Sequence, residues 1–163
     1  DPVATAADSG GTIDVLVVYT PGAAAYAHGD SGMTALITLG GSETNTSYAN
    51  SSITQRLQLV NISAVPYAET GDMDADLTNL VSGASGLSGV AGLRNTYGAD
   101  LVMMVIAPGS TACGEAFLMT TVSTSFAPNA YSVVSADCKM KPEAREAVAI
   151  DGLSSATSSR FSS

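Results

Sequence analysis

Basic residues and histidine are scarce in this sequence. Its 163 residues include 6 lysines and arginines against 15 acidic residues, so the formal net charge is −9. Since nucleic-acid binding needs clustered Lys and Arg to neutralise phosphates, this balance predicts no nucleic-acid partner. The single histidine, His28, lies in the turn-like segment YAHGDSG. We interpret it as a solvated loop residue, with weak metal binding together with Asp30 as the alternative.

Long apolar runs are also missing. No run approaches the roughly 20 residues that span a bilayer, so we expect no membrane partner. Hydrophobic residues make up 45% of the chain and charged residues 13%, a composition typical of an ordered globular fold. A chain of this length fits one domain, and we predict a single domain over residues 1–163.

The sequence begins with Asp1-Pro2 and small polar residues, without Met or an apolar leader. This start predicts a mature product whose leader has been removed. Abundant Ser, Thr, Ala and Gly with few Lys favours a secreted protein, either extracellular or periplasmic. Two cysteines in a secreted chain favour one disulfide, whereas two buried free thiols are the alternative.

Apolar runs broken by glycine and proline predict alternating strands and helices. Strands are predicted over residues 13–19, 55–67 and 101–107, with shorter strands in CGEAFL and AYSVVS. Helices are predicted over residues 32–50, with Asp30-Ser31 as the cap, and over residues 72–81 and 90–97. This order is typical of an α/β sheet with crossover helices.

Three segments carry a resemblance to a known family: TIDVLVVYTP, YGADLVMMVI, and ACGEAFLM followed by AYSVVSADC. Together they resemble the first half of secreted zinc metallopeptidases of the metzincin type, nearest to the reprolysin-like (ADAM-like) group. The resemblance covers residues 12–138, with residues 1–10 as a lead-in and residues 139–163 as a divergent or truncated tail. It implies the metzincin upper subdomain, an α/β fold with a mixed, mostly parallel twisted sheet, crossover helices and an antiparallel edge strand.

The same resemblance assigns roles to the segment CGEAFL. It implies a disulfide between Cys113 and Cys138, and it places Gly114, Glu115 and Ala116 on an edge strand that borders the substrate cleft. A peptide beside that strand would extend the sheet through backbone hydrogen bonds, and the small residues would leave room for close approach. The alternative is an ordinary strand with small residues packed under a loop.

The zinc motif of the family, H-E-x-x-H-x-x-G-x-x-H, has a degenerate counterpart in AREAVAIDGLSS. Arg145, Ala149 and Ser155 stand at the three ligand positions. Glu146 matches the general base and Gly152 matches the turn glycine. Because guanidinium, methyl and lone hydroxyl groups cannot assemble a zinc site, we expect no catalytic zinc in the chain as written and zinc only in an active parent.

A structural calcium is a further implication of the resemblance. Asp14 in the first strand and Asp100 before a central strand match two of the acidic positions that hold it in ADAM-like domains. A carboxylate within an apolar run needs a partner or a cation. The competing interpretation is that each aspartate caps a helix or faces water at a strand end.

The leading functional interpretation is a secreted metzincin-like metallopeptidase domain without its zinc site. Such a domain would be an inactive pseudoprotease or a truncated product, and its edge strand would bind an extended peptide or protein. One alternative is an active zinc metalloendopeptidase whose tail differs from the residues printed. The other is a non-enzymatic secreted binding module of the adhesin type.

Overall fold

Strands and helices alternate along the chain. The structure is a computed structural model that describes residues 11–110 and 112–139. In chain order the elements are β1 (Thr12–Tyr19), α1 (Pro21–Tyr26), α2 (Asp30–Asn50), β2 (Arg56–Ala64), α3 (Met73–Ser82), α4 (Val90–Tyr97), β3 (Leu101–Ile106), β4 (Gly114–Ala116), a first 3-10 helix (Thr124–Asn129), β5 (Tyr131–Ser135) and a second 3-10 helix (Ala136–Lys139). No helix within this described part is long and apolar enough to cross a bilayer.

The five strands form one sheet in the order β2-β1-β3-β5-β4. β1 pairs in parallel with β2 and β3, β3 pairs in parallel with β5, and β4 pairs antiparallel with β5. Parallel neighbours require crossover connections, which the intervening helices and the segment containing β4 supply. The prediction of a mixed, mostly parallel sheet with crossover helices and an antiparallel edge strand is confirmed.

Helices cover both faces of the central strands, so β1 and β3 are continuous apolar runs. On one face Leu16 belongs to a buried cluster with Leu77 of α3 and Val90 of α4. On the other face Val17 belongs to a second cluster with Ile37 of α2. Fully burying one such side chain contributes roughly 1.5–3 kcal/mol, and the two clusters hold the sheet between its helices.

Helix α1 is absent from the sequence-based prediction, which has Pro21-Gly22 ending the first strand. Thr20 caps this helix, because its Oγ1 accepts a hydrogen bond from Ala23 N at 3.1 Å. Pro21 occupies the first turn, where the missing N–H is not needed for the helix. The same dipeptide therefore ends β1 and begins α1.

Helix α2 begins at Asp30, before the predicted residue 32. Its N-cap is Gly29, with φ 112° and no side-chain capping bond, so the predicted Asp30-Ser31 cap is wrong. Asp30 lies in the first turn, where its charge favours the helix, and its carboxylate accepts a hydrogen bond from the Tyr19 hydroxyl. The predicted bounds of α3, α4 and β3 agree with the structure to within one residue.

Candidate functional site

The outer strand β4 leaves one edge free. It lies at the end of the strand order, and no strand of the described residues pairs with its outer side. Ser135 N donates to Cys113 O over 2.9 Å, so the hydrogen-bonded positions on this side of the antiparallel ladder are Cys113 and Glu115. Because such positions alternate, Gly114 and Ala116 direct their N–H and C=O groups toward the free edge.

The small residues of β4 have different surroundings. A Cβ built on Gly114 would lie 3.2 Å from the Val133 carbonyl oxygen, so the glycine permits the close approach of β4 to β5. Ala116 is exposed. The close backbone approach predicted at Gly114 is therefore made by β5. The exposed Ala116 keeps a small side chain near the free edge.

A disulfide joins Cys113 to Cys138, the pair that the resemblance implies. Their Cα atoms lie 5.3 Å apart, and the two residues are separated by 25 positions. Cys113 directly precedes β4, and Cys138 lies in the 3-10 helix directly after β5. Closing a loop of this size stabilises a fold by about 3 kcal/mol in the chain-entropy description. The bond fixes the start of β4 against the end of β5.

Large apolar side chains are exposed immediately after β4. Phe117 is 42% exposed, Leu118 67%, Met119 43% and Val122 85%. Monomeric domains rarely leave several such residues in one segment facing water, and exposed apolar patches mark contact surfaces. The free edge of β4 therefore continues into an apolar segment.

Acidic side chains at the start of α3 lie beside β4. Glu115 lies against the first turn of α3, where it shares a hydrogen bond with Asp74. Burial raises the pKa of the Glu115 carboxyl, and the Asp74 and Asp72 carboxylates raise it further. Asp72 is also the N-cap of α3, with its Oδ1 accepting from Asp74 N at 3.1 Å. Negative charge thus accumulates beside the edge strand.

A cavity of about 260 Å³ opens at the carboxyl ends of the parallel strands. Its wall combines the loop before α3, the start of α3 and the segment after β3: Glu69, Gly71, Met73, Asp76, Ile106, Ala107, Pro108, Gly109 and Ser110. In open α/β sheets, ligands bind outside the carboxyl ends of the strands. The cavity occupies that position.

The two carboxylates in this wall are held differently. Oε1 of the half-buried Glu69 accepts hydrogen bonds from Ala107 N at 3.0 Å and from the Thr20 hydroxyl, and so joins the ends of β3 and β1. Asp76 is fully buried. Its Oδ1 accepts from the Tyr67 hydroxyl at 2.7 Å and from Thr70 N at 2.9 Å. Its Oδ2 has no hydrogen-bond partner among the described residues.

Sequence reasoning missed both Glu69 and Asp76. Glu69 follows β2 by five positions, and the rule that ligand sites gather at the carboxyl ends of parallel strands could have drawn attention to it. Asp76 lies within the apolar-faced helix α3, where a fully buried carboxylate has no distinct sequence signal. Its burial follows from contacts with the preceding loop.

The structure brings Asp14 and Asp100 together, as the calcium hypothesis requires. Asp14 N donates to Asp100 Oδ2 at 2.9 Å, and Asp100 N donates to Asp14 O at 2.8 Å. Oδ1 of Asp14 is buried without a hydrogen-bond partner among the described residues, which is compatible with a cation there. Both lie near the amino ends of β1 and β3, at the other end of the sheet from the cavity. The calcium site stays a prediction.

The remaining metal predictions rest on other parts of the chain. His28 lies between α1 and α2 in the left-handed region, with φ 62°, and the nearby Asp30 carboxylate is engaged by Tyr19. Among residues 11–110 and 112–139, no group of three or more His, Cys, Asp and Glu side chains is arranged to hold a metal. Glu146 and the tail positions aligned with the zinc motif lie outside the described residues.

Curated relatives share the larger part of the chain. It is 38% identical over 118 residues to a protein named peptidyl-Asp metalloendopeptidase from Xanthomonas campestris pv. campestris. It is 36% identical over 118 residues to proteins of that name from two strains of Stenotrophomonas maltophilia. Each match covers 71% of this chain and 28% of the relative. The chain is therefore metallopeptidase-like and spans little more than a quarter of the length of these homologues.

Other comparisons concern the fold. No protein-family model matches the chain. A chain in a solved structure described as "Structure of a chaperone-substrate complex" matches with a TM-score of 0.63 and 22% sequence identity. That match covers 76% of this chain and 22% of the other. At this identity the likeness supports the architecture alone.

Proposed function

We propose that this domain is the peptide-holding part of a secreted, metzincin-like metallopeptidase fold. An extended peptide would pair with the free edge of β4 and become the sixth strand of the sheet. The observation that carries the proposal is the free edge itself, with the N–H and C=O groups of Gly114 and Ala116 directed outward. Strand addition of this kind takes its affinity from backbone hydrogen bonds and its specificity from side-chain contacts.

The surroundings of β4 support this role. The disulfide at Cys113 holds the start of the strand in place, so less order has to be gained when a peptide binds. The exposed apolar side chains after the strand supply a surface on which a peptide can pack. The names of the homologues point to peptides that contain Asp as substrates. The disulfide also supports secretion, because disulfides persist in oxidising compartments.

We further propose that this polypeptide by itself binds peptides without hydrolysing them. Zinc-assisted hydrolysis requires three protein ligands and an open position for water. The 163 residues contain one histidine, and the positions aligned with the zinc ligands are Arg145, Ala149 and Ser155. Glu146 would then be a remnant of the general base. The names of the homologues favour a second candidate, an active zinc metalloendopeptidase, which would need ligands other than these.

Substitution of Ala116 by proline tests strand addition. Proline removes the outward N–H of Ala116 while the hydrogen bonds from β4 to β5 remain, since these belong to Cys113 and Glu115. We expect peptide affinity to fall about fivefold or more, the value of one lost hydrogen bond plus the steric effect of the ring. Fluorescence anisotropy with labelled, Asp-containing peptides measures this, and Ala116→Ser is the matched control because it keeps the N–H.

The outcomes separate clearly. Weak binding by Ala116→Pro together with normal binding by Ala116→Ser supports addition at β4. Equal binding by both variants, or no binding of any extended peptide to the wild-type chain, would exclude it. Circular dichroism and the thermal midpoint of each variant show that the disulfide-linked sheet is retained.

A further inference from the structure

The cavity beside Glu69 and Asp76 carries negative charge that no described cation neutralises. Within residues 11–110 and 112–138 the basic residues are Arg56 and Arg94. Arg56 donates to backbone carbonyls at the start of β2. Arg94 donates to backbone carbonyls just before β3 and within the first 3-10 helix. Both guanidinium groups are engaged away from the cavity.

Burial strengthens the attraction that this negative charge exerts on a cation. Asp76 is fully buried in the cavity wall, and its Oδ2 lacks a hydrogen-bond partner among the described residues. A buried carboxylate oxygen of this kind is costly unless a cation or donor compensates it. Glu69 adds a second carboxylate to the same wall. Clefts lined by one sign of charge concentrate field lines and attract ligands of the opposite sign.

The start of helix α3 lines the cavity and also contacts the edge strand β4. Met73 and Asp76 of α3 line the cavity, and Asp74, between them in the same helix, shares a hydrogen bond with Glu115 of β4. The segment that follows β3 along the cavity wall leads directly into Cys113 and β4. The first turns of α3 thus contact both the cavity and β4, and this shared helix is what relates the two places.

We propose that this cavity is a subsite for a lysine or arginine side chain of the peptide bound at β4, with Glu69 and Asp76 supplying the attracting charge. The inference rests on the proposed strand addition. Lys and Arg carry their charge at the end of a three- or four-carbon stem, so the cation can approach the half-buried Glu69 while the buried Asp76 acts through its field.

The size of the cavity favours a side chain over a bare ion. Its volume is about 260 Å³, whereas one water occupies about 30 Å³ in the liquid. A divalent cation without a ligand cage would leave most of this space to water. The cavity also differs chemically from an Asp-recognising site, because its carboxylates and the neighbouring Glu115 and Asp74 would repel an acidic side chain.

Matched peptides test the subsite in the full 163-residue chain. A lysine is moved through successive positions of an extended neutral peptide, and each peptide is compared with its Nε-acetyl-lysine counterpart by fluorescence anisotropy. At one position we expect lysine to bind about fivefold more tightly than acetyl-lysine, the scale of one partly exposed ion pair. The preference should weaken as salt is added, because the pair is screened.

Two isosteric variants assign the preference to the cavity. In Glu69→Gln and Asp76→Asn the amide oxygen can still accept the bonds now made by Glu69 Oε1 and Asp76 Oδ1, while the charge is removed. Each should reduce the lysine preference, because one of the two attracting charges is removed, and should weaken lysine peptides more than acetyl-lysine peptides. Glu43→Gln is the control, since it removes the same charge from α2 on the opposite face of the sheet. If Asp76→Asn does not fold, Glu69→Gln carries the test.

The outcomes distinguish this inference from the function on which it rests. If acetyl-lysine peptides bind and Ala116→Pro weakens them, but lysine gives no preference at any position, the subsite is excluded and strand addition stands. If no peptide binds, both are overturned. If calcium alone raises the thermal midpoint of the wild type and not of Glu69→Gln, a metal site replaces the side-chain subsite.

Discussion

At the residue scale, Glu115 shows how position on the edge strand changes the behaviour of a carboxyl group. It is half-buried in β4 and faces two aspartates at the start of α3. Burial raises its pKa first, and repulsion from Asp74 and Asp72 adds to the shift. The ionised form of Glu115 therefore opposes folding, and a cation near β4 would relieve the repulsion. The residue therefore couples the stability of the fold to pH.

Substitution of Glu115 by glutamine should stabilise the fold near neutral pH. Because the folded pKa lies above the unfolded one, the native state binds more protons between these two values, and stability falls as pH rises through this interval. Glutamine removes that loss, so we expect a gain of about 0.5 kcal/mol at pH 7, the scale of partly solvated charge pairs. The gain should disappear below about pH 4, where glutamate is protonated in both states.

Urea unfolding of both proteins at pH 4 and pH 7 measures this difference. Comparing variant with wild type at each pH cancels the contributions of carboxyl groups that do not interact with Glu115. A variant that is less stable than the wild type at pH 7 would show that Glu115 has a favourable partner and that the shift has the opposite sign.

At the scale of elements, the two outer strands of the sheet differ. β2 is the first strand in the order and β4 the last. On β2 the side chain of Asn45 pairs with the backbone of Leu57: Leu57 N donates to Oδ1 at 2.7 Å, and Nδ2 donates to Leu57 O at 2.9 Å. The amide thus occupies groups that a neighbouring strand would use. Native sheets protect exposed edges in such ways, and the protection of β2 described here is at Leu57.

Substitution of Asn45 by alanine should open the β2 edge. The change removes two hydrogen bonds and leaves a backbone N–H and C=O unpaired, so we expect a loss of about 1–2 kcal/mol and a tendency to self-associate. Urea unfolding and light scattering as a function of protein concentration measure the two effects. Asn50→Ala is the control, because Asn50 is exposed at the end of the same helix. Unchanged stability would mean that water replaces the amide without cost.

At the scale of the whole molecule, the proposed function separates the peptide-binding surface from the catalytic chemistry. The disulfide-anchored β4, followed by the exposed apolar segment, is the last strand of the sheet, and the acidic cavity lies at the carboxyl ends of the parallel strands. The zinc motif of the resembling family aligns with a stretch that has no histidine. A fold can retain a substrate surface without its reaction, because the two depend on different residues.

Zinc content tests this separation. We expect protein purified without chelator to carry far less than one zinc per chain, because His28 is the single histidine in 163 residues and a catalytic zinc needs three protein ligands. Elemental mass spectrometry together with the intact mass measures this. The control is protein incubated with zinc and then dialysed. One dialysis-resistant zinc per chain, with an intact mass matching the printed sequence, would contradict the proposal of a zinc-free domain.

Local sequence patterns predict most strands and helices well, but they predict contacts between distant residues poorly. The apolar runs of β1 and β3 are visible in the sequence because both strands are buried on two faces. Helix α1 was not predicted, because Pro21-Gly22 both ends a strand and begins a helix. The pairing of Cys113 with Cys138 came from the family resemblance, since two cysteines alone leave the free-thiol alternative open. Glu146 lies outside the described residues, so its role stays a prediction.

The sequence by itself determined the alternation of strands and helices and the scarcity of zinc ligands, because these depend on composition and short-range periodicity. The antiparallel edge strand of the mixed sheet was predicted from the family resemblance. Only the tertiary structure decided which polar side chains meet. Glu69 reaches Ala107 across 38 positions, and Asn45 reaches Leu57 across 12. Such contacts follow from how strands are ordered in the sheet, which local periodicity does not encode. For that reason the acidic cavity and the protected edge emerge only once the chain is folded.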